Sequence, residues 1–202
     1  MPPKEFTAHL VELLKGLNLQ SDATSTKHDI TLDVWDFAGQ HLYYASYPVF
    51  LSTRAVYMLV YDLSKGLKET AQPCFRQGTL KLHLTNPNKE TNMEHLLSWL
   101  VSISNMHLLQ PEVNEGKNLP YVRPPVFIVG THADKPYQDV KQIELQIQEE
   151  IFGKDFDCHV IRPVFSVDNT QGSSDEGVIA LQKRLIEVLK QEPYMGEERP
   201  VR

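Results

Sequence analysis

RPPVFIVGTHAD, Arg123 to Asp134, carries the pattern on which the fold turns. Two prolines stiffen the approach, Val126 to Val129 are apolar without exception, and a glycine then opens a polar loop. A strand with no polar face belongs inside a parallel sheet that has helices on both sides, because each face must be covered. Ala55 to Tyr61, AVYMLVY, has the same character and reads as a central parallel strand. Val160 to Phe165, VIRPVF, is a third such strand, interrupted by Pro163, which belongs at a sheet edge or a strand end because proline cannot donate to a ladder. Ile30 to Trp35 alternates instead, Ile30, Leu32 and Val34 against Thr31 and Asp33, the period of a strand with one solvated face.

Helical patterns lie between these strands: Met93 to Ile103, Asp139 to Phe152 and Glu176 to Leu189. A further one, Phe6 to Leu17, sets Leu10, Leu13, Leu14 and Leu17 on one side and ends near Gly16. Strands alternating with helices predict an α/β fold, mostly parallel, with helices on both faces. Leu67 to Thr91 and Gln110 to Pro125 read as surface excursions, the first with few apolar anchors and the second rich in proline and charge. No internal repeat or low-complexity tract is present.

With 202 residues, 41% of them hydrophobic, the chain can bury one substantial core, and one main domain is expected. Lys and Arg number 20 against 26 Asp and Glu, so the net charge of -6 leaves no broad basic face to follow a phosphate backbone, and nucleic acid is not an expected partner. Cys74 and Cys158 form no C-x-x-C pair, which fits neither a disulfide framework nor a zinc site and suits a reducing compartment. The longest apolar run, Ala55 to Leu63, is broken by Asp62 and too short to cross a bilayer, and MPPKEF lacks the order of a signal peptide. A soluble, cytoplasmic chain without a transmembrane segment is expected.

Ligands of an open parallel sheet meet the carboxyl ends of its strands. After Ile30 to Trp35 come Asp36, Phe37, Ala38, Gly39 and Gln40. An Asp there can hold a phosphate-bound Mg²⁺ through water, and a glycine lets its own N–H approach a terminal phosphate. After VFIVG come Thr131, His132, Ala133 and Asp134. A carboxylate on that loop accepts two hydrogen bonds from a guanine edge that adenine does not offer. After VIRPVF come Ser166, Val167 and Asp168, whose backbone N–H groups can reach the base carbonyl. Phosphate loop, base loop and second base loop, in that order, describe a guanine-nucleotide domain.

Plainer readings stand beside these. Asp36 to Gln40 also suits an ordinary turn, Asp134 a cap before Lys135 and Pro136, and Ser166 a hydroxyl-stabilised turn. His83, His95 and His107 are equally spaced, but they span a loop and a helix, so chance accounts for them better than metal binding. Trp99, among Leu96, Leu97 and Leu100, reads as core. Cys158 and His159 point apart as neighbours on a strand do, which makes them structural rather than a nucleophilic pair. Tyr43, Tyr44, Tyr47 and Phe50 suit a docking surface and simple packing equally.

Asp36 to Gly66, DFAGQHLYYASYPVFLSTRAVYMLVYDLSKG, followed by Phe127 to Pro136, FIVGTHADKP, resembles the Roc domain, the Ras-like GTPase module of the Roco family. That resemblance implies GTP or GDP with Mg²⁺ as the bound group. It implies that Asp36 serves Mg²⁺, Gly39 the γ-phosphate and Gln40 the attacking water. Thr131, His132 and Asp134, aided by Ser166 and Val167, would read the base, with His132 where other small GTPases carry Lys. The likeness runs over about Asp29 to Leu189, and the tail YMGEERP resembles the joint to a COR dimerisation domain. A COR domain or a second copy is therefore an expected partner. The expected division is 1–28, an N-terminal helix with a truncated or rebuilt switch I; 29–190, the Roc domain; and 191–202, a linker.

The chain departs from the family where phosphate should bind. No G-x-x-x-x-G-K-[ST] run occurs anywhere in it. Phe6 to Leu17 matches the helix that normally follows that loop, so the N-terminal strand and phosphate loop are read as missing. Only Gln20 to His28 stand where switch I belongs, with Thr24 and Thr26 its candidates by type alone. Without those groups the charge of phosphoryl transfer goes unstabilised, and efficient hydrolysis by this chain alone is not expected. Two readings follow: a piece or alternative product of a longer Roco protein, or a degenerate pseudoGTPase kept as a nucleotide-independent scaffold for protein–protein contacts. A flavodoxin-like domain binding another ligand at the same strand ends is a third.

Overall fold

The computed structural model describes residues 34–37, 51–72, 74–77, 79–83, 86–109 and 119–195. The expected helix Phe6 to Leu17 and most of the expected strand Ile30 to Trp35 lie outside them. Within them the elements are β1 (Tyr57–Asp62), β2 (Cys74–Gln77), β3 (Leu80–His83), α1 (Asn92–Leu109), β4 (Val126–Thr131), α2 (Val140–Ile151), β5 (Val160–Ser166) and α3 (Glu176–Gln191).

β1, β4 and β5 form a parallel sheet with β4 in the middle, and Tyr57 to Asp62 run in register with Val126 to Thr131. Every residue of β4 is buried. Strand alternation divides its side chains between two cores. Val126 and Ile128 pack with Val160 and Val164 of β5 under α1 (Leu96, Leu100, Ile103) and α2 (Ile143, Ile147, Ile151). Phe127 and Val129 pack with Ile161 and Phe165 under α3 (Val178, Leu181, Val188). Each fully buried side chain of this kind stabilises by about 1.5–3 kcal/mol, so the all-apolar run that predicted a doubly covered strand also supplies the centre of both cores.

β1 is half-buried, and Val60 is 47% exposed. Val60 shares a strand face with Met58, which packs against the α3-side core, but Val60 itself is not among that core's described members. Val34 to Phe37 belong to no strand, and Val34 and Trp35 are 41% and 66% exposed, so the end of the expected strand Ile30 to Trp35 is not seen as one. A strand hides an apolar face only against a neighbour, and no described strand pairs with these residues. Pro163 sits exposed within β5, on the edge of the described sheet, where the register slips from Phe127↔Ile161 to Val129↔Phe165.

The helix boundaries follow their caps. Thr91 and Glu94 form a capping box, Thr91 N donating to Glu94 Oε2 (2.7 Å) and Glu94 N to Thr91 Oγ1 (3.2 Å), and α1 continues past Ile103 to Leu109. Asp139 accepts from Gln142 N at the start of α2, and Asp175 from Val178 N at the start of α3.

Neither expected excursion is a plain surface loop. Leu67 and Ala71 are buried, Asn86 Nδ2 donates to the carbonyls of Ala71 and Glu90 (3.0 and 2.8 Å), and the closed loop holds an antiparallel hairpin of β2 and β3. In the second, residues 110–118 lie outside the described set, while Tyr121, Pro124 and Pro125 are buried. Tyr121 Oη donates to Glu192 (2.9 Å), a carboxylate only 1% exposed just beyond α3. Arg54 lies over the Tyr194 ring at 5.6 Å. Burial, followed by the Glu192 charge, pushes both phenols up, so both remain neutral near neutral pH.

Candidate functional site

Parallel pairing brings the carboxyl ends of β1, β4 and β5 to one edge of the sheet, and the loops leaving them are fastened together by backbone hydrogen bonds. Leu63 N donates to Thr131 O (2.9 Å), Tyr137 N to Leu63 O (2.8 Å), Ala133 N to Val167 O (3.1 Å) and Val167 N to Gly130 O (2.8 Å). The two expected base loops, Thr131 to Asp134 and Ser166 to Asp168, therefore form one unit, joined by the loop that leaves β1.

Thr131 is 6% exposed, and its hydroxyl donates to Tyr61 O (3.2 Å), which ties β4 to β1. His132 adopts φ 61, the left-handed region that an ordinary side chain disfavours by about 1–2 kcal/mol. The chain turns there, Lys135 N closing on His132 O (3.0 Å), and Asp134 stands in the turn, an exposed residue whose side chain is 21% exposed. Lys135 Nζ is 3.8 Å from Asp134 Oδ2, a loose surface contact that leaves acceptor capacity on the carboxylate.

Four residues at this edge were not anticipated. Asp62, closing β1, places Oδ1 3.1 Å from His132 Nδ1 and accepts from Ser64 N (3.0 Å) and Ser64 Oγ (2.6 Å). Burial pushes its carboxyl up, but the two Ser64 hydrogen bonds and the His132 and Lys65 charges outweigh it and hold the group below the usual range. Glu144 of α2 accepts from Ser166 Oγ (2.7 Å). A Cβ at Gly130 would lie 2.8 Å from the Tyr61 ring, so only glycine lets that ring fold across β4. At Gly177, a Cβ would lie 2.0 Å from Ser166 O, so α3 begins directly against the second base loop. Only Asp62 left a usable sequence signal: a carboxylate at a strand end with a serine two residues on, the signature of a side-chain-stabilised turn.

The Val167 amide is engaged by Gly130, so the expected base contact from that N–H is not met; sheet pairing takes it first. Asp168 accepts from Thr170 N (2.8 Å), Thr170 Oγ1 (2.6 Å) and Gln171 Nε2 (2.6 Å), which holds its carboxyl below the usual range. Asp36 is exposed, and Gly39 and Gln40 lie outside the described residues. Cys158 lies in a turn before β5, donating to Asp155 O (3.2 Å), and burial with two nearby aspartates pushes its thiol up, against a nucleophilic role. Trp99 is half-buried, His83 is exposed, and His95 pairs with Glu90 at 3.1 Å. Among the described residues no three His, Cys, Asp or Glu are grouped to hold a metal, and no helix is long and apolar enough to cross a membrane.

Comparison with known proteins gives this geometry a context. Residues 5–107, a little over half the chain, match the family described as Ras of Complex, Roc, domain of DAPkinase. Three similar proteins, all from Dictyostelium discoideum, bear the names Probable serine/threonine-protein kinase pats1, roco5 and roco6. The chain is 27% identical to pats1 over 176 residues, 86% of this chain and 4% of that protein. It is 26% identical to roco5 over 170 residues, 83% of this chain and 5% of that protein, and 24% identical to roco6 over 164 residues, 81% and 6%. The chain thus spans only a small fraction of the length of these relatives, and the family match ends before β4 and the Thr131 to Asp134 loop.

Proposed function

The chain belongs to the Roc family, with that family's Ras-like α/β fold, and from this premise we propose that it is the guanine-nucleotide-binding module of a Roco-type signalling protein. The observation that carries the reading is the fastening of the loops after β1, β4 and β5 into one unit, with Asp134 in a left-handed turn. A carboxylate so held accepts two hydrogen bonds from a guanine edge and rejects adenine, which leaves it unpaired. Thr131 and His132 hold the loop, and Ser166, tied to Glu144, shapes the other side. These residues fit the base half of a nucleotide.

The phosphate half fits less well. Asp36 is the residue that would hold Mg²⁺ through water, Gly39 would approach the γ-phosphate and Gln40 would orient a water. Bound Mg²⁺ supplies charge neutralisation at the phosphates. The missing G-x-x-x-x-G-K-[ST] run removes most of the remaining donors, so hydrolysis by this chain is weak on this reading. A second reading is a pseudoGTPase scaffold that joins a COR domain or a second copy without nucleotide. Both readings place the chain in the cytoplasm, with residues 29–190 as the domain and 191–202 as a linker.

Calorimetry with GDP and Mg²⁺ separates the two. Binding that is lost in Asp134→Ala supports the nucleotide module, whereas no heat from a chain that melts cooperatively supports the scaffold.

A further inference from the structure

Asp62 does something at this edge that the base-reading role does not require of Asp134 or Thr131. It is the last residue of β1, aligned with Thr131 of β4, and its Oδ1 lies 3.1 Å from Nδ1 of His132, the residue whose backbone bends into the left-handed region. A carboxylate only accepts, so the proton between them belongs to His132 Nδ1. That N–H also lies 3.2 Å from Thr131 Oγ1, whose own proton goes to Tyr61 O. Asp62 is itself fixed by two hydrogen bonds from Ser64. The result is a chain of contacts, Ser64 to Asp62 to His132, running from β1 into the turn that presents Asp134.

We infer that Asp62 is the positioning residue of the base loop: it takes hold of the His132 ring across the β1–β4 boundary and so keeps the backbone in the turn that presents Asp134 to guanine. The inference rests on the proposed nucleotide reading and adds to it a residue outside the base-contacting motif. It also accounts for a non-glycine residue at φ 61. Where the backbone alone favours another conformation, its surroundings must hold it, and here the Asp62 contact adds to the Lys135 N to His132 O hydrogen bond.

The test uses the full 202-residue chain with Asp62→Ala, Asp62→Asn, His132→Gly and the double variant Asp62→Ala/His132→Gly. Two readouts are followed: GDP affinity by calorimetry with Mg²⁺, and amide hydrogen exchange at Lys135, whose N–H closes the turn on His132 O, and at Ala133, whose N–H ties the turn to Val167 O. We expect Asp62→Ala to weaken GDP by about ten-fold or more, the weight of one charge-assisted hydrogen bond, and to speed exchange at both amides. Glycine adopts the left-handed turn freely, so in the His132→Gly background the loss of Asp62 should cost almost nothing in either readout. Should Asp62→Ala fail to fold, Asp62→Asn, which keeps the shape but not the charge, carries the comparison. Unchanged affinity and exchange in Asp62→Ala or, where only Asp62→Asn folds, an equal loss with and without His132, overturns the inference. Faster exchange in a chain that binds no GDP supports the tether and overturns the guanine reading beneath it.

Discussion

Gly177→Ala sets two physical effects against each other, and the structure decides the sign. Gly177 is the second residue of α3, and exchanging glycine for alanine in a helix ordinarily gains up to about 1 kcal/mol, because the unfolded chain loses less freedom on folding. Here the added Cβ would lie 2.0 Å from Ser166 O and 3.1 Å from Ser166 C, both backbone atoms that cannot rotate away. An ordinary C···O contact is about 3.3 Å, so α3 and the end of β5 must part by roughly 1 Å. Both are packed: Phe165, Val167, Val178 and Leu181 are each less than 10% exposed. Overpacking of a well-filled core costs about 1–3 kcal/mol; set against a helix gain of up to about 1 kcal/mol, this leaves a net loss of about 0–2 kcal/mol. Urea unfolding followed by circular dichroism reads this as a lower midpoint at unchanged slope. A variant more stable than the unaltered chain would refute the close approach of α3 to Ser166.

Other substitutions probe separate contacts. Tyr121→Phe removes the donor to buried Glu192 and should cost about 1.5–3 kcal/mol at neutral pH by chemical denaturation; no change would mean that the carboxylate is not held as described. Asp175→Ala removes the acceptor of Val178 N and should lower stability by about 1 kcal/mol, with Asp175→Asn recovering most of it. Asp168 has a folded pKa below its unfolded value, so its contribution is present above about pH 4 and is lost as pH falls through the folded value. The stability gap between the unaltered chain and Asp168→Ala should therefore be widest near pH 7 and close in more acidic buffer. A gap that stays constant down to pH 3 would contradict the hydrogen bonds from Thr170 and Gln171.

The sheet and its three described helices were legible because each rests on a local pattern. Val126 to Val129 has no polar side, and Asp139 and Asp175 stand where the helical period begins. The β2–β3 hairpin was missed although Leu80 and Leu82 alternate with Lys81 and His83 at the period of a strand; so short a run, set among Pro, Asn and Thr residues, reads with its surroundings as loop. The half-exposure of β1 is a tertiary fact that AVYMLVY does not contain. In the site, the strand-end rule found the loop of Thr131 to Asp134. It missed Asp62, whose role needs the register that sets it beside Thr131, and Gly177, whose lack of a side chain matters only because Ser166 O is already there. It also assigned the Val167 amide to a ligand when the sheet had a prior claim on it.

α3 is pinned at both tips. Its first turn bears on the Ser166 carbonyl, and its last gives way to Glu192, clasped by Tyr121 at the opposite end of the sheet. Sixteen residues of helix make a strut about 24 Å long, stiff along its axis. A shift of α3 as a rigid body at the Ser166 end would therefore also displace the end where Arg54 roofs the ring of Tyr194.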